Sequence, residues 1–239
     1  MQWKTDVLCV GAHPDDVEGG MGGTIIKLVQ KKYEVGILDL TYGEKGTRGS
    51  KEIREREAKK AQEILGVAFR ENAELSDAEV QDDMPSRIAV VEKIRKYRPR
   101  FVFTFWHRTR HPDHRAAHYL VTAASFFAGL GKFPAEGKPF RPQKIIYFRE
   151  WYDFRPSFIV DISDVIEKKM EALSAYASQF DSMWPAPQTV LSDEKTRMMF
   201  LHRTRYWGSL IGVEFGEPFK IFSPIGTDDP ISLLVRSIW

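Results

Sequence analysis

Short apolar runs alternate with longer amphipathic segments along the first two thirds of the chain. The runs with the composition of buried strands are DVLCVG at 6–11, EVGILDL at 34–40 and FVFTFW at 101–106. The segments with apolar residues at helical spacing are 20–32, 51–65 and 84–97. This alternation predicts a Rossmann-like α/β fold, with a mostly parallel sheet, helices on both faces and a single domain over residues 1–239.

The alternation continues towards the C-terminus. Further predicted strands are 67–72, 144–148, 157–161 and a short one within 217–226, and further predicted helices are 112–129, 164–180 and 193–211. In sheets of this kind, ligands bind at the carboxyl ends of the strands. We therefore expect the functional residues just after the strands at 6–11, 34–40 and 101–106.

Composition narrows the class of protein. The 239 residues include 35 Lys and Arg against 33 Asp and Glu, so neither a nucleic-acid-binding surface nor a polybasic membrane segment is expected. The single cysteine, Cys9, excludes an intramolecular disulfide, and its apolar neighbours favour a place in the core. We expect a cytoplasmic protein, because the sequence has no signal-peptide pattern and no apolar run near the roughly 18 residues of a membrane span.

Unusual polar residues follow two of the predicted strands. HPDD (13–16) comes after the first strand, and HPDH (111–114) comes after the strand at 101–106. A catalytic zinc site usually takes three ligands from His and carboxylate side chains and leaves one position for water. His13 and Asp16 are three residues apart at a helix start and can face one point. His114, from the other strand end, completes a predicted ligand set.

The neighbouring residues in both motifs suit the other steps of a hydrolysis. Asp15 lies beside the predicted ligands and is the candidate general base. His111 is a candidate to protonate the leaving amine or to stabilise an oxyanion. Asp113 would then orient His111 through a hydrogen bond.

Simpler interpretations exist for these residues. Asp15 and Asp16 are good helix N-caps, and His107 and His118 are more typical of surface or capping positions than of ligands. Two HPD tripeptides at two strand ends are hard to explain by capping alone. The glycine-rich string GGMGGT (19–24) lacks the spacing of a dinucleotide-binding loop, so its glycines more simply allow close helix packing.

Two other classes of function share some of these features. Two histidines and one carboxylate also bind Fe(II) in non-haem oxygenases, although the α/β pattern differs from the all-β fold expected there. A non-catalytic binding module of α/β fold is the other alternative.

At these motifs, the sequence resembles the LmbE-like (PIG-L) zinc-dependent de-N-acetylases. The similar segments are GAHPDDVE (11–18), GGTI (22–25), TYGEKGTRG (41–49), EIREREAKKAQEILGV (52–67), HPDH (111–114), FRPQKIIYF (140–148), SFIVDIS (157–163) and RYWGSLIGVEFGEPF (205–219). The later segments are most similar to the family's branch of bacillithiol-biosynthesis deacetylases, the enzymes that hydrolyse N-acetylglucosaminyl malate.

The resemblance implies a zinc-dependent hydrolase that removes acetyl from an N-acetylglucosamine unit, with Fe²⁺ as an alternative metal. It implies that His13, Asp16 and His114 are the zinc ligands and that Asp15 is the base. It implies that His111 is the charged partner of the intermediate, with Asp113 behind it. It also implies that Arg54 and Arg141 approach the active site. The malate conjugate is the expected substrate, and another N-acetylated amino sugar such as chitobiose is the alternative. Some relatives have an oxyanion-stabilising tyrosine just before the second motif, but residues 106–110 contain none.

Arginine usage points to an anionic substrate group. The arginines in or near the expected active end are Arg48, Arg54, Arg108, Arg110, Arg115 and Arg141. Guanidinium groups bind carboxylates such as those of malate, although solvation or pairing with Glu44, Glu52 or Glu55 explains each of them equally well. We expect a homo-oligomer, but the aromatic residues near the C-terminus suit a subunit interface and core packing equally; they are Trp207, Phe215, Phe219 and Trp239.

Overall fold

The computed structural model describes residues 3–224 and 226 of the chain. The strands of this part are β1 (Thr5–Gly11), β2 (Val35–Asp39), β3 (Phe69–Asn72), β4 (Pro99–Phe105), β5 (Lys144–Phe148), β6 (Phe158–Asp161) and β7 (Gly216–Lys220). The helices are α1 (Asp16–Gln30), α2 (Lys51–Leu65), α3 (Met84–Tyr97), α4 (Pro112–Phe127), α5 (Ile166–Ser174), α6 (Ala177–Phe180) and α7 (Glu194–Ser209), with a 3₁₀ turn at Ser163–Val165. Among these residues, no helix combines the length and apolar character needed to span a bilayer.

The strands form one sheet in the order β3-β2-β1-β4-β5-β7-β6. The first five strands of that order are parallel, and β7 is antiparallel to both of its neighbours. Helices α1, α2 and α5 pack against one another, and α3 packs against α4. The predicted α/β class with a mostly parallel sheet is therefore confirmed.

The centre of the sheet is the core of the protein. Cys9 of β1 pairs with Ile37 of β2 on one side and with Phe103 of β4 on the other. Cys9 and Ile37 have no exposed surface, and burial raises the pKa of the Cys9 thiol far above its ordinary value. The thiol is thus an inert core group, as predicted.

Local signals in the sequence define α2 well. The side chain of Ser50 accepts a hydrogen bond from the backbone N of Ile53 and caps the helix start. Gly66, at φ 74°, adopts the left-handed conformation that ends many helices. The helix predicted at 51–65 has the same bounds in the structure.

Helix α1 begins four residues before its predicted start and is interrupted at Met21, where φ is −150° and ψ is 20°. The carboxylate of Glu217, on β7, accepts hydrogen bonds from the backbone N of Gly23 at 3.0 Å and of Thr24 at 2.7 Å. These N–H groups lie just after the break, so Glu217 acts as an N-terminal cap for the second part of the helix.

A buried lysine closes the other side of the break. Lys169 of α5 is 1% exposed, and its Nζ donates to the backbone O of Gly19 at 2.9 Å and to Glu217 at 2.6 Å. The Lys169–Glu217 pair therefore fixes the short first part of α1. Gly20, within that part, packs against Phe148: a Cβ there would lie 2.5 Å from the phenylalanine ring. This explains the glycine by packing, as expected.

The segment predicted as one helix over 164–180 is divided into the 3₁₀ turn, α5 and α6. Tyr176 lies between the two helices with a non-helical ψ of 62°, and its hydroxyl donates to Glu18 at 2.9 Å. Of the C-terminal aromatic residues, Trp207, Phe215 and Phe219 are buried and belong to the core of the chain. Trp239 lies outside the described residues.

Candidate active site

The two HPD motifs meet at the carboxyl ends of the adjacent strands β1 and β4. Nδ1 of His13 lies 3.2 Å from Nε2 of His114. The Asp16 carboxylate completes a triangle: one oxygen lies 3.3 Å from His13 Nδ1, and the other lies 3.1 Å from His114 Nε2. The three residues predicted as ligands are thus brought together.

The geometry of this triangle fits a divalent metal ion. Tetrahedral zinc with bonds of about 2.0–2.1 Å has its N and O ligand atoms about 3.3 Å apart. The three side chains are between 7% and 12% exposed. Burial lowers the pKa of His114, but the Asp16 and Glu150 carboxylates outweigh it and raise the pKa to about 9. The negative charge around the imidazoles therefore favours a cation.

Carboxylates hold the far side of the His13 ring. Its Nε2 lies 3.2 Å from Asp113 Oδ2 and 3.1 Å from Asp77 Oδ1. Backbone N–H groups fix both acids: that of Ala78 donates to Asp113, and that of Lys45 donates to Asp77. This is the arrangement by which metal-binding histidines are usually oriented.

The structure corrects the predicted role of Asp113. Its carboxylate contacts His13, whereas only its backbone N contacts His111, by donating to Nδ1 at 3.2 Å. His111 is the N-cap of α4, and the carboxylate two residues later turns away from it towards the other HPD motif.

His114 is supported in the same way. Its Nδ1 faces Thr109 Oγ1 at 3.5 Å and Glu150 Oε2 at 3.6 Å, and the Thr109 hydroxyl donates to Glu150 at 2.6 Å. Glu150 and Asp77 were both missed from the sequence. Each follows the carboxyl end of a strand, β5 and β3 respectively, so the rule applied to the other strand ends would have pointed to these two loops.

Two other groups of side chains are close enough to hold an ion. His13, His111 and His114 form one, and His13, Asp77 and Asp113 form the other. In the second group, Asp113 does not line the pocket described below. All three residues of the triangle that includes Asp16 line that pocket.

Asp15 has an unusual backbone. It occupies the N-cap position of α1 with φ 108°, a conformation that is rare for a residue with a side chain, and its carboxylate makes no capping hydrogen bond. Capping therefore does not explain this residue. Burial raises its pKa to about 7, with Arg54 opposing and Asp16 adding to the shift.

Arg54 of α2 lies beside Asp15 in the site. Its Nη2 donates to the backbone O of Pro14 and lies 3.5 Å from Asp15 Oδ2. The guanidinium lies over the Tyr176 ring at 5.6 Å. Arg54 lines the pocket. Its role in substrate binding stays a prediction, whereas its observed contacts with Pro14 and Asp15 position Asp15.

His111 lies beside the two predicted histidine ligands. Its ring centroid is 4.8 Å from that of His13 and 4.8 Å from that of His114. Burial, together with the neighbouring His114 and His13, lowers its pKa. The ring also lines the pocket, where it can exchange hydrogen bonds with a ligand.

The structure does not bring Arg141 to the site. Its Nη2 donates to the backbone O of Phe126 at 3.0 Å, and its guanidinium lies over the Phe126 ring at 4.2 Å. Arg141 precedes β5, so it lies at the amino edge of the sheet, opposite the site. His118 is also separate from the site: its Nδ1 lies 2.8 Å from the backbone O of Phe105.

The triangle of His13, Asp16 and His114 opens into a pocket of about 990 Å³, its open mouth included. Gly43 and Gly46 of the loop after β2 line it, which agrees with the prediction that this loop belongs to the site. The apolar walls are formed by Leu173, Phe180, Leu191, Met199 and Phe200. A pocket lined by both polar groups and apolar side chains suits a small organic ligand.

Comparison with known proteins identifies the family. The model of the PIG-L family, described as GlcNAc-PI de-N-acetylase, matches residues 8–125. The diacetylchitobiose deacetylase of Thermococcus kodakarensis is 37% identical over 227 residues, which cover 90% of this chain and 82% of that protein. A probable N-acetyl-alpha-D-glucosaminyl L-malate deacetylase 2 of Bacillus anthracis is 29% identical, and the match covers 87% of this chain and 96% of that protein. The crystal structure of a conserved protein from Thermus thermophilus superposes with a TM-score of 0.87 at 39% identity. The superposition covers 95% of this chain and 98% of that protein.

The chain therefore belongs to the PIG-L family and is an enzyme. This confirms the resemblance seen in the HPDD and HPDH motifs. It favours the hydrolase hypothesis over the oxygenase and the non-catalytic module.

Proposed function

We propose that this enzyme hydrolyses the acetamide of an N-acetylglucosamine unit, with a divalent metal held by His13, Asp16 and His114. The observation that carries the proposal is the triangle of ligand atoms, 3.1–3.3 Å apart, next to the buried Asp15 at the base of a pocket. The named activities of the two deacetylases compared above support it.

The metal, for which we propose zinc with Fe²⁺ as the alternative, would polarise the acetyl carbonyl and make water more acidic. Asp15 accepts a proton from the attacking water, and Arg54 holds its carboxylate in place. His111 donates a hydrogen bond to the oxyanion that develops on the carbonyl oxygen. Asp15 then returns the proton to the amide nitrogen while the C–N bond breaks. The products are acetate and the free amine.

Two substrates fit this proposal. The sequence favours N-acetylglucosaminyl malate, because the late segments resemble the bacillithiol branch. The identity to the chitobiose deacetylase, 37%, is higher than the 29% to the malate deacetylase. Both substrates carry the same acetamide, so the metal triangle and Asp15 do not separate them.

An amine-release assay tests the proposal. The enzyme, stripped of metal and reloaded with Zn²⁺ or Fe²⁺, is given N-acetylglucosamine, its malate conjugate and diacetylchitobiose. We expect metal-dependent release of the amine and of acetate in equal amounts. Turnover that persists after metal removal would overturn the metal-dependent mechanism, and no release from any substrate would overturn the proposed function.

A further inference from the structure

Two guanidinium groups lie over one tryptophan ring in the wall of the pocket. The Cζ atoms of Arg110 and Arg203 are 4.3 Å and 5.1 Å from the ring centroid of Trp151. The three residues come from the loop after β4, from α7 and from the loop after β5. All three line the pocket that also contains His13.

The position of Trp151 is fixed from behind. Its backbone O accepts hydrogen bonds from Arg203 Nη1 at 2.9 Å and from Arg149 Nη1 at 3.2 Å. Arg149 is buried and faces Asp153 at 3.5 Å. These hydrogen bonds hold the backbone of Trp151, and the two guanidinium groups lie over its ring.

These two cations form no ion pair with any described carboxylate. This holds for the side chains described within residues 3–224 and 226, which leave out those at positions 194 and 197. Two acids of the adjoining loop have other partners, since Glu150 faces His114 and Asp153 faces Arg149. Burial and the neighbouring Arg203 lower the pKa of Arg149 to about 10, as expected where positive charge is in excess.

The charges of the pocket are thus divided. Carboxylates surround the imidazoles at its base, whereas unpaired guanidinium groups stand at Trp151. Stacking on an aromatic ring occupies the face of a guanidinium and leaves its N–H edge accessible. Arg203 uses Nη1 to donate to the Trp151 backbone O, and its remaining N–H groups, together with those of Arg110, are suited to bind a carboxylate or a phosphate group.

We propose that Trp151, Arg110 and Arg203 form a subsite, the Trp151 subsite, for an anionic group joined to the amino sugar. The inference rests on the proposed function, because it assumes that the acetamide lies at Asp15. It assigns to the enzyme a substrate class, an N-acetylated amino sugar with a carboxylate or phosphate substituent, in preference to a neutral disaccharide.

The first test compares kcat/KM for N-acetylglucosaminyl malate, N-acetylglucosamine 1-phosphate and neutral diacetylchitobiose. We expect the native enzyme to prefer an anionic substrate, and the two anionic substrates distinguish carboxylate from phosphate. In Arg110→Gln, kcat/KM for the preferred anion should fall about 10-fold more than for chitobiose, because a charge-assisted hydrogen bond is lost. Arg108→Gln is the matched control, since Arg108 is exposed and does not line the pocket.

A second test measures binding without turnover. Calorimetry of the metal-loaded enzyme compares glucosamine 1-phosphate and glucosaminyl malate with glucosamine, and Arg110→Gln should remove the preference for an anion. If no acetamide is hydrolysed but this preference is present and lost in Arg110→Gln, the proposed function fails and the subsite stands. If hydrolysis occurs without any preference for an anion, or if Arg110→Gln lowers kcat/KM equally for all substrates, the Trp151 subsite is wrong and the proposed function stands.

Discussion

Asp113 of the second HPD motif holds His13 of the first: the carboxylate oxygen lies 3.2 Å from Nε2 of the ring. The Ala78 backbone N–H donates to the same oxygen at 2.8 Å and keeps the acid in place. The opposite ring nitrogen, Nδ1, is thereby aimed at Asp16 and His114. The Asp113 carboxylate thus supports His13 of the other motif and not His111, the histidine of its own motif two residues before it.

Asp113→Asn should weaken zinc binding about 10–100-fold, because an amide holds the His13 ring less firmly and supplies no negative charge behind it. Competition with a chelator measures the affinity. Asp164→Asn is a matched control, since the Asp164 side chain is 63% exposed and its ion pair among the described residues is with Lys27. Equal zinc affinity in Asp113→Asn and the native enzyme would contradict the orienting role.

Asp15→Asn should keep one metal per chain and lower kcat about 10²–10⁴-fold, because the amide cannot accept a proton from water. Metal analysis and the amine-release assay, carried out on the same sample, measure both quantities. An enzyme that retains its turnover would remove Asp15 from the mechanism. Loss of the metal would instead mean that Asp15 supports the ligands.

Lys169→Met should lower the free energy of unfolding by about 3–5 kcal/mol, because it leaves the buried Glu217 carboxylate without its positively charged partner. Urea unfolding measures the change. Lys27→Met is the control: the Lys27–Asp164 pair is exposed on its acidic side, and its loss should cost less than about 1 kcal/mol. Equal effects of the two substitutions would show that the break in α1 does not depend on Lys169.

The stability of the fold should depend on Glu71 in acid. Burial raises the pKa of Glu71, but hydrogen bonds from Lys93, Lys96 and Tyr97 outweigh it and lower the pKa from 4.5 to about 2. The folded-state pKa lies below the unfolded value, so the ionised carboxylate stabilises the protein above about pH 4.5, and this contribution is lost as the pH falls towards 2.

Glu71→Gln should therefore be less stable than the native protein near neutral pH, by about 1 kcal/mol, and should approach it near pH 2–3. Urea unfolding at a series of pH values checks this. A difference in stability that stays constant over the series would show that the charge of Glu71 is not its source.

Local patterns in the sequence were sufficient for much of the fold. The strand at 144–148 and the helix at 84–97 have their predicted bounds, because periodicity and capping act over a few residues. The segment 164–180 is different, since Tyr176 leaves the helix to reach Glu18 on α1. No pattern within that segment contains this distant contact.

The site divides in the same way. His13, Asp16 and His114 were found because their motifs follow strands whose carboxyl ends share one edge. Asp77 and Glu150 are single acids in loops, a common occurrence, and only the folded chain shows that each faces an imidazole. Arg141 was expected near the active site because it belongs to the family-like segment 140–148. That resemblance does not tell at which edge of the sheet a residue lies, and Arg141 precedes β5 at the amino edge.

The break in α1 has a consequence for dissecting this enzyme. A truncated chain ending near residue 125 would retain His13, Asp16 and His114, and it would span the whole stretch matched by the family model. It would nevertheless lack Lys169 and Glu217, which satisfy the backbone on either side of the interruption. The half that carries every proposed ligand therefore lacks part of its own support, because the helix that begins at Asp16 is held by α5 and β7, which come later in the chain.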